Sequence, residues 1–430
     1  MTSTLALALL LATADAPGPD IDALVYDVAV TPDFTTKTIA GSTRLHFRSL
    51  HAGLTTITLS SNALHISAAT LDGMPITFVA AEKTLTFTLP HALARGEDAV
   101  LELAYNGTPK RGVTFDGDSV YAAYFACDWM ICLQDSPGDK AAITMAITLP
   151  TGMTAVGIGN ETSVKRIGDG LELHRWESDR PYSAYLYNFA AGHFERWMDT
   201  SGKTELLTLG RDISPSQLKA RFATTAAMMR FFEEKSGVPF PRARYTQLWI
   251  PTSEAQEAAT FSVIGEAEIG PILTDPQEDW AIAHELAHQW WGNLLTCASW
   301  QEFWLNEGLT TFMTAAWKEH AFGRAAYDRE IDLARKRVAR AKEKGVDTYL
   351  TNPGPYPSLG LKRAIVYSKG ALFLDALRTE IGDTAFWAGL AAYTRAHIGG
   401  TVVSADFQKA MEAAAGRSLS DLFDPWVYGR

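Results

Sequence analysis

Cysteine is scarce, with three residues in a chain of 430. That excludes a disulfide-stapled scaffold and a zinc ribbon built on thiolates. Basic charge is in deficit, with 38 Lys and Arg against 49 Asp and Glu and a formal charge of −11. Such a chain lacks the positive face that a general nucleic-acid binder turns toward phosphates, so no nucleic-acid partner is expected. Long apolar runs are missing too. The run at residues 5–14 is shorter than the about 20 residues that cross a bilayer, so no integral membrane segment is expected. No internal repeat or low-complexity linker appears, and nothing in the sequence specifies an oligomeric state.

What is present suits large cores. Hydrophobic residues make up 47% and charged residues 20%, which excludes global disorder. The apolar run ends in Ala12-Thr13-Ala14, a small-residue cleavage pattern, although no Lys or Arg precedes it. Residues 1–14 therefore read as a signal peptide, and the protein as periplasmic or secreted, with a cytoplasmic protein as the alternative. Residues 20–195 read as β-rich, with alternation at 24–30, 43–47, 84–89 and 143–149 and turn chemistry at Asp72-Gly73 and Asn106-Gly107. After about 196 the pattern becomes helical, with apolar positions three and four apart over 218–235 and 371–381. A second, mostly helical domain is expected over 196–430.

The chemistry concentrates in His284-Glu285-Leu286-Ala287-His288. Asp275-Pro276-Gln277-Glu278 ahead of it suits a helix start, with Asp275 as cap. On that helix His284 and His288 share a face, and two imidazoles so spaced can bind one Zn²⁺ while Glu285 reaches its water. A catalytic zinc needs a third protein ligand and one open position. Glu307 is the candidate, with eighteen residues between it and His288 and with Ser299-Trp300-Gln301-Glu302 as a capping-box start for the helix that carries it.

With these spacings, and with Trp304-Leu305-Asn306-Glu307-Gly308 around the third ligand, the chain resembles the aminopeptidase N family of zinc gluzincins, which also contains the leukotriene hydrolases. Val366-Tyr367-Ser368-Lys369-Gly370 is similar to the family's Tyr-Glu-Lys-Gly segment, and Glu254-Ala255-Gln256-Glu257-Ala258 falls at its Gly-Ala-Met-Glu-Asn exopeptidase motif. The resemblance implies an α+β multidomain fold, a β-rich N-terminal domain followed by a thermolysin-like zinc catalytic domain. It implies one Zn²⁺ per chain on His284, His288 and Glu307, Glu285 as general base, and Tyr367 as donor to the oxyanion. It further implies peptide substrates, their α-amine on Glu257 and their backbone along Ala255 and Gln256. Only Ala255 and Glu257 match the exopeptidase motif. Asp128 and Gln134 are candidates for a second amine anchor. The activity expected is that of a zinc aminopeptidase. The alternatives are a zinc endopeptidase or another zinc hydrolase and, below these, a non-catalytic scaffold, which the complete ligand set disfavours.

Other features carry less. Cys127 and Cys132 can pair in an oxidising compartment or remain free thiols. The basic run Arg335-Lys336-Arg337 with Arg340, Lys342 and Lys344 reads as a solvated helix face. Trp290 and Trp291 read as core beneath the zinc helix.

Overall fold

Period-two burial builds the N-terminal half. In strand Ile21–Asp33, Tyr26, Val28 and Val30 are buried between more exposed neighbours. The computed structural model describes residues 20–352 and 354–430, so the signal-peptide expectation lies outside the described residues. Nine strands form the main sheet, in the order 160–168, 171–177, 140–150, 21–33, 38–49, 98–107, 65–71 and 74–75, with Tyr182–Ser183 beside the 140–150 strand. One pairing is parallel, with Val25 opposite Ala142. Asp72-Gly73 makes its expected turn, with φ of 48° and 79°. Asn106-Gly107 does not turn. It extends strand Asp98–Gly107 opposite Ala40 and Ile39, because the ladder satisfies its backbone there.

A second, five-stranded sheet follows, in the order 195–199, 205–210, 244–250, 261–265 and 255–257. Its last strand, Ala255–Glu257, runs antiparallel and forms one edge. Helices pack around this sheet. The pattern at 218–235 resolves into two of them, α1 (Pro215–Arg221) and α2 (Thr225–Ser236). The break comes at Phe222, whose side chain is buried and whose N–H closes α1 on the Leu218 carbonyl.

Helix α3 (Trp280–Ala287) starts later than the sequence suggests. Asp275 caps a turn instead, accepting the Gln277 N–H at 3.0 Å. Asp279 precedes the helix with its carboxylate buried on the indole N–H of Trp317. Ser299 and Glu302 form no capping box, because Glu302 turns to the backbone N–H and hydroxyl of Ser404. The helix that carries Glu307, α4 (Trp304–Phe322), begins one turn later. Helix α5 (Arg324–Glu343) returns along it, and α6 (Leu359–Arg363) runs into a π-helical turn, Ala364–Lys369, and then α7 (Gly370–Ala396), kinked at Gly382.

Two close approaches fix the site. Helix α4 and the start of α7 cross backbone to backbone, where a Cβ on Gly308 would lie 2.9 Å from the Gly370 Cα. The halves of the chain are also tied together. The buried Lys140 ammonium donates to the carbonyls of Gly400 at 2.9 Å and Gly399 at 3.2 Å, and the Asn306 amide donates to the Tyr185 hydroxyl at 3.0 Å. No helix among the described residues is long and apolar enough to cross a membrane.

Candidate metal centre and its cleft

Helical spacing brings His284 and His288 together, their Nε2 atoms 3.1 Å apart, and α4 carries Glu307 Oε2 to 3.3 Å from each. Ligands at 2.0–2.2 Å around a tetrahedral ion stand about 3.3–3.6 Å apart, so the three donors mark one face of such a tetrahedron. His288 Nδ1 lies 3.0 Å from the Trp291 carbonyl and donates to it, which leaves Nε2 facing the other donors. Gly292 makes this bond feasible, since a Cβ there would meet His288 Nδ1 at 2.8 Å.

The electrostatics ask for a cation. Burial opposes the charge on Glu307, yet His288 and His284 hold its carboxyl down at about 2. Burial likewise opposes charge on His288, but Glu307 and Glu257 lift its imidazole to about 10. Within the buried pocket a proton on His288 thus takes the place of positive charge. Two imidazoles and one carboxylate, all buried, fit zinc by number, type and spacing.

Glu285 follows the first ligand, is buried, and has one carboxylate oxygen, Oε2, without a hydrogen-bond partner among the described residues. Burial, with Glu257 and Glu307 nearby, raises its carboxyl well above the usual range. Tyr367 sits on the π-helical turn, its ring stacked on His284 with centroids 6.0 Å apart. Burial and the Glu307 and Glu257 carboxylates hold its phenol protonated, so it remains a donor. Such π-helical turns commonly occur at functional sites.

Glu257 closes the group from the sheet edge. Its carboxyl is also raised, by burial first and Glu307 next. Gln256 is spent within the chain, donating to Glu257 Oε2 at 2.8 Å and accepting the Tyr124 N–H at 2.9 Å. The Ala255 backbone is engaged as well, its carbonyl and N–H both bonded to the Tyr124 hydroxyl. Asp128 is held by both arms of Arg111. Gln134 lines the cleft but bridges the Cys127 N–H and the Tyr124 carbonyl. Cys127 and Cys132 are disulfide-bonded, and Cys297 is a free, buried thiol. Trp290 and Trp291 are core, with their indoles bonded to Val238 and Thr394.

The three metal donors, Glu285, Glu257 and Tyr367 line a cleft of about 1300 Å³. It is larger than a drug-sized pocket, which runs to about 1,000 Å³, and has room for a short peptide. Two family models match the chain: Peptidase M1 N-terminal domain over residues 23–186 and Peptidase family M1 domain over 220–426. The chain belongs to peptidase family M1. Aminopeptidase 2 of Candida albicans is 22% identical over 450 residues, covering 95% of this chain and 47% of that protein. Leukotriene A-4 hydrolase of Xenopus laevis is 26% identical over 301 residues, covering 65% of this chain and 49% of its own length. The chain spans about half the length of the curated relatives it matches. Its fold is also that of an M1 zinc metallopeptidase from Deinococcus radiodurans, with a TM-score of 0.78 at 24% identity over 97% of this chain and 96% of that one. A mutant of the Deinococcus enzyme was crystallised with a Tyr-Ser-Ala substrate.

Two contributors to this M1 site escape sequence reasoning. Tyr124, at a φ of 64°, ties the strand Ala255–Glu257 to the N-terminal half, and Tyr185 reaches the residue next to Glu307. Both act across more than 100 positions of sequence, and no local pattern announces them.

Proposed function

We propose that the chain is a zinc-dependent aminopeptidase, with a β-rich domain over residues 20–195 and the zinc peptidase domain over 196–430. The observation that carries this reading is the convergence of three metal donors, an unpartnered Glu285 oxygen and the buried Glu257 in one peptide-sized cleft. His284, His288 and Glu307 would hold the ion. Zinc there supplies an acidified water and a polarised scissile carbonyl. Glu285 takes a proton from the attacking water and passes it to the leaving amine. Tyr367 donates to the developing oxyanion from the face of His284. Glu257 accepts the substrate's ammonium group, which sets the first peptide bond over the metal donors, and Gln256 fixes that carboxylate.

Export to an oxidising compartment is part of the proposal, supported by the N-terminal apolar run and by the bonded Cys127–Cys132 pair. The test of function is a panel of aminoacyl fluorogenic amides beside their acetylated counterparts, with and without a chelator. The expected result is chelator-sensitive cleavage of the free-amine series alone, abolished in Glu257→Ala. Equal cleavage of blocked substrates would make the enzyme an endopeptidase. No cleavage by a zinc-loaded protein would favour a scaffold.

A further inference from the structure

The basic run of α5 is exposed along its length, as its sequence suggests, but its charges do not all face the same surroundings. Arg335 pairs with Asp332 and Asp375, and Lys342 pairs with Asp347. Arg337, Arg340 and Lys344, three and four residues apart and so on one face, instead line the catalytic cleft. None of the three has an ion-pair partner among the described residues. Helix α6 adds Arg363, which also lines the cleft, lacks an ion pair among the described residues, and stands one turn before Tyr367. Its charge is felt at His284, Glu285 and Tyr367.

In a chain of net charge −11, these four cations without an ion pair, joined in the cleft lining by Arg329 and Lys362, are out of proportion to the whole. Lys318 of α4 and Glu330 of α5 pair with each other within the cleft, and the remaining signs divide by element. Glu257 lies on the sheet edge against the N-terminal half, and the cleft acids Glu268, Asp275 and Glu278 belong to the segment before α3. The unpaired cations come from α5, from Lys344 at its end, and from α6. A substrate entering this cleft meets a buried carboxylate at one element and guanidinium groups at another, the pattern that orients a molecule with opposite charges at its two ends.

We infer that Arg337, Arg340, Lys344 and Arg363 form a subsite for a substrate carboxylate downstream of the scissile bond, either the C-terminus of a short peptide or an acidic side chain within it. This rests on the reading of the cleft as an aminopeptidase site. Guanidinium is the suited partner, since its planar fork matches a carboxylate.

The experiment uses tripeptides that begin with whichever residue the fluorogenic panel favours. One arm compares the free C-terminal acid with its amide. The other compares amidated peptides carrying Glu or Lys at the third position. A carboxylate held by several exposed cations is expected to raise kcat/KM about tenfold in at least one arm. A response in the first arm assigns the C-terminus, and a response in the second assigns the side chain. The ratio should fall toward one in Arg337→Gln/Arg340→Gln and in Arg363→Gln. It should also fall for the unaltered enzyme as salt approaches about 1 M, where the screening length is about 3 Å. Ratios of one in both arms, or ratios that salt and the variants leave intact, would overturn the subsite while leaving cleavage of the fluorogenic panel as the separate measure of aminopeptidase action.

Discussion

Substituting Gly308 by Ala is the sharpest probe of how the site is assembled. An added Cβ would stand 2.9 Å from the Gly370 Cα and 3.2 Å from the Val366 carbonyl, about half an ångström short of ordinary van der Waals contact with the first. Both neighbours are backbone, so no side chain can swing away, and α4 must separate from the run that carries Tyr367. Inside a helix, Gly to Ala ordinarily stabilises by about 1 kcal/mol. Overpacking of this kind costs about 1–3 kcal/mol, so the balance here is a net loss of roughly 1 kcal/mol. The larger effect falls on chemistry, because Glu307 precedes Gly308 and Tyr367 lies three residues before Gly370. A displacement that approaches 1 Å at a reacting group costs on the order of 10²-fold in rate. Thermal melting, zinc content and kcat/KM on a free-amine fluorogenic amide measure the three consequences together. Gly308→Ala should melt slightly lower, keep most of its zinc, and lose activity far out of proportion to stability. A variant that melts higher and turns over like the wild type would show that the helix crossing does not set the geometry of the site.

Glu285→Gln should retain zinc, since His284, His288 and Glu307 form the proposed donor set, and should lose roughly 10²–10⁴-fold in kcat with the proton transfer proposed for it. Metal analysis beside steady-state kinetics separates that outcome from loss of the ion, which would reassign Glu285 to the ligand set. Tyr367→Phe keeps the ring on His284 but removes the hydroxyl, so kcat should drop by about 10²–10³ with little change in KM. A purely structural tyrosine would instead lower the melting temperature at unchanged kcat. Burial raises the Asp279 carboxyl to about 6 against the pull of Trp317. Its folded form therefore keeps a proton that the unfolded chain sheds near pH 4, and its contribution to stability falls as pH rises from about 4 to 6. Asp279→Asn abolishes this term, so its stability relative to wild type should improve by roughly 1–3 kcal/mol between pH 4 and 7. A constant difference across that range would contradict the assignment.

The convergence of His284, His288 and Glu307 was legible because helical periodicity alone joins His284 to His288, and a single helical return brings Glu307 beside them. The capping motifs were misread for a reason that no local pattern contains. The carboxylates of Asp279 and Glu302 are drawn into tertiary bonds with Trp317 and Ser404, and each helix start moves accordingly. Asn106-Gly107 has the composition of a turn but is held straight by a neighbouring strand. The basic run on α5 looked uniform in sequence. Only the packing of α5 against the turn that bears Tyr367 decides which of its exposed charges face the cleft. Tyr124 and Tyr185 were invisible for the same reason, since each matters through a partner more than 100 positions away.

The buried ammonium of Lys140 and the phenol of Tyr185 make the ligand-free half of the molecule a working part of the other. A catalytic half expressed alone would lose the cation that gathers the Gly399 and Gly400 carbonyls, and the hydroxyl that steadies the neighbour of Glu307. Swapping in a β-rich half from a related enzyme would therefore transplant more than a cover. Unless the newcomer brings its own lysine and tyrosine to those two points, the hybrid inherits every metal donor but lacks the outside bond to Asn306 that backs the third.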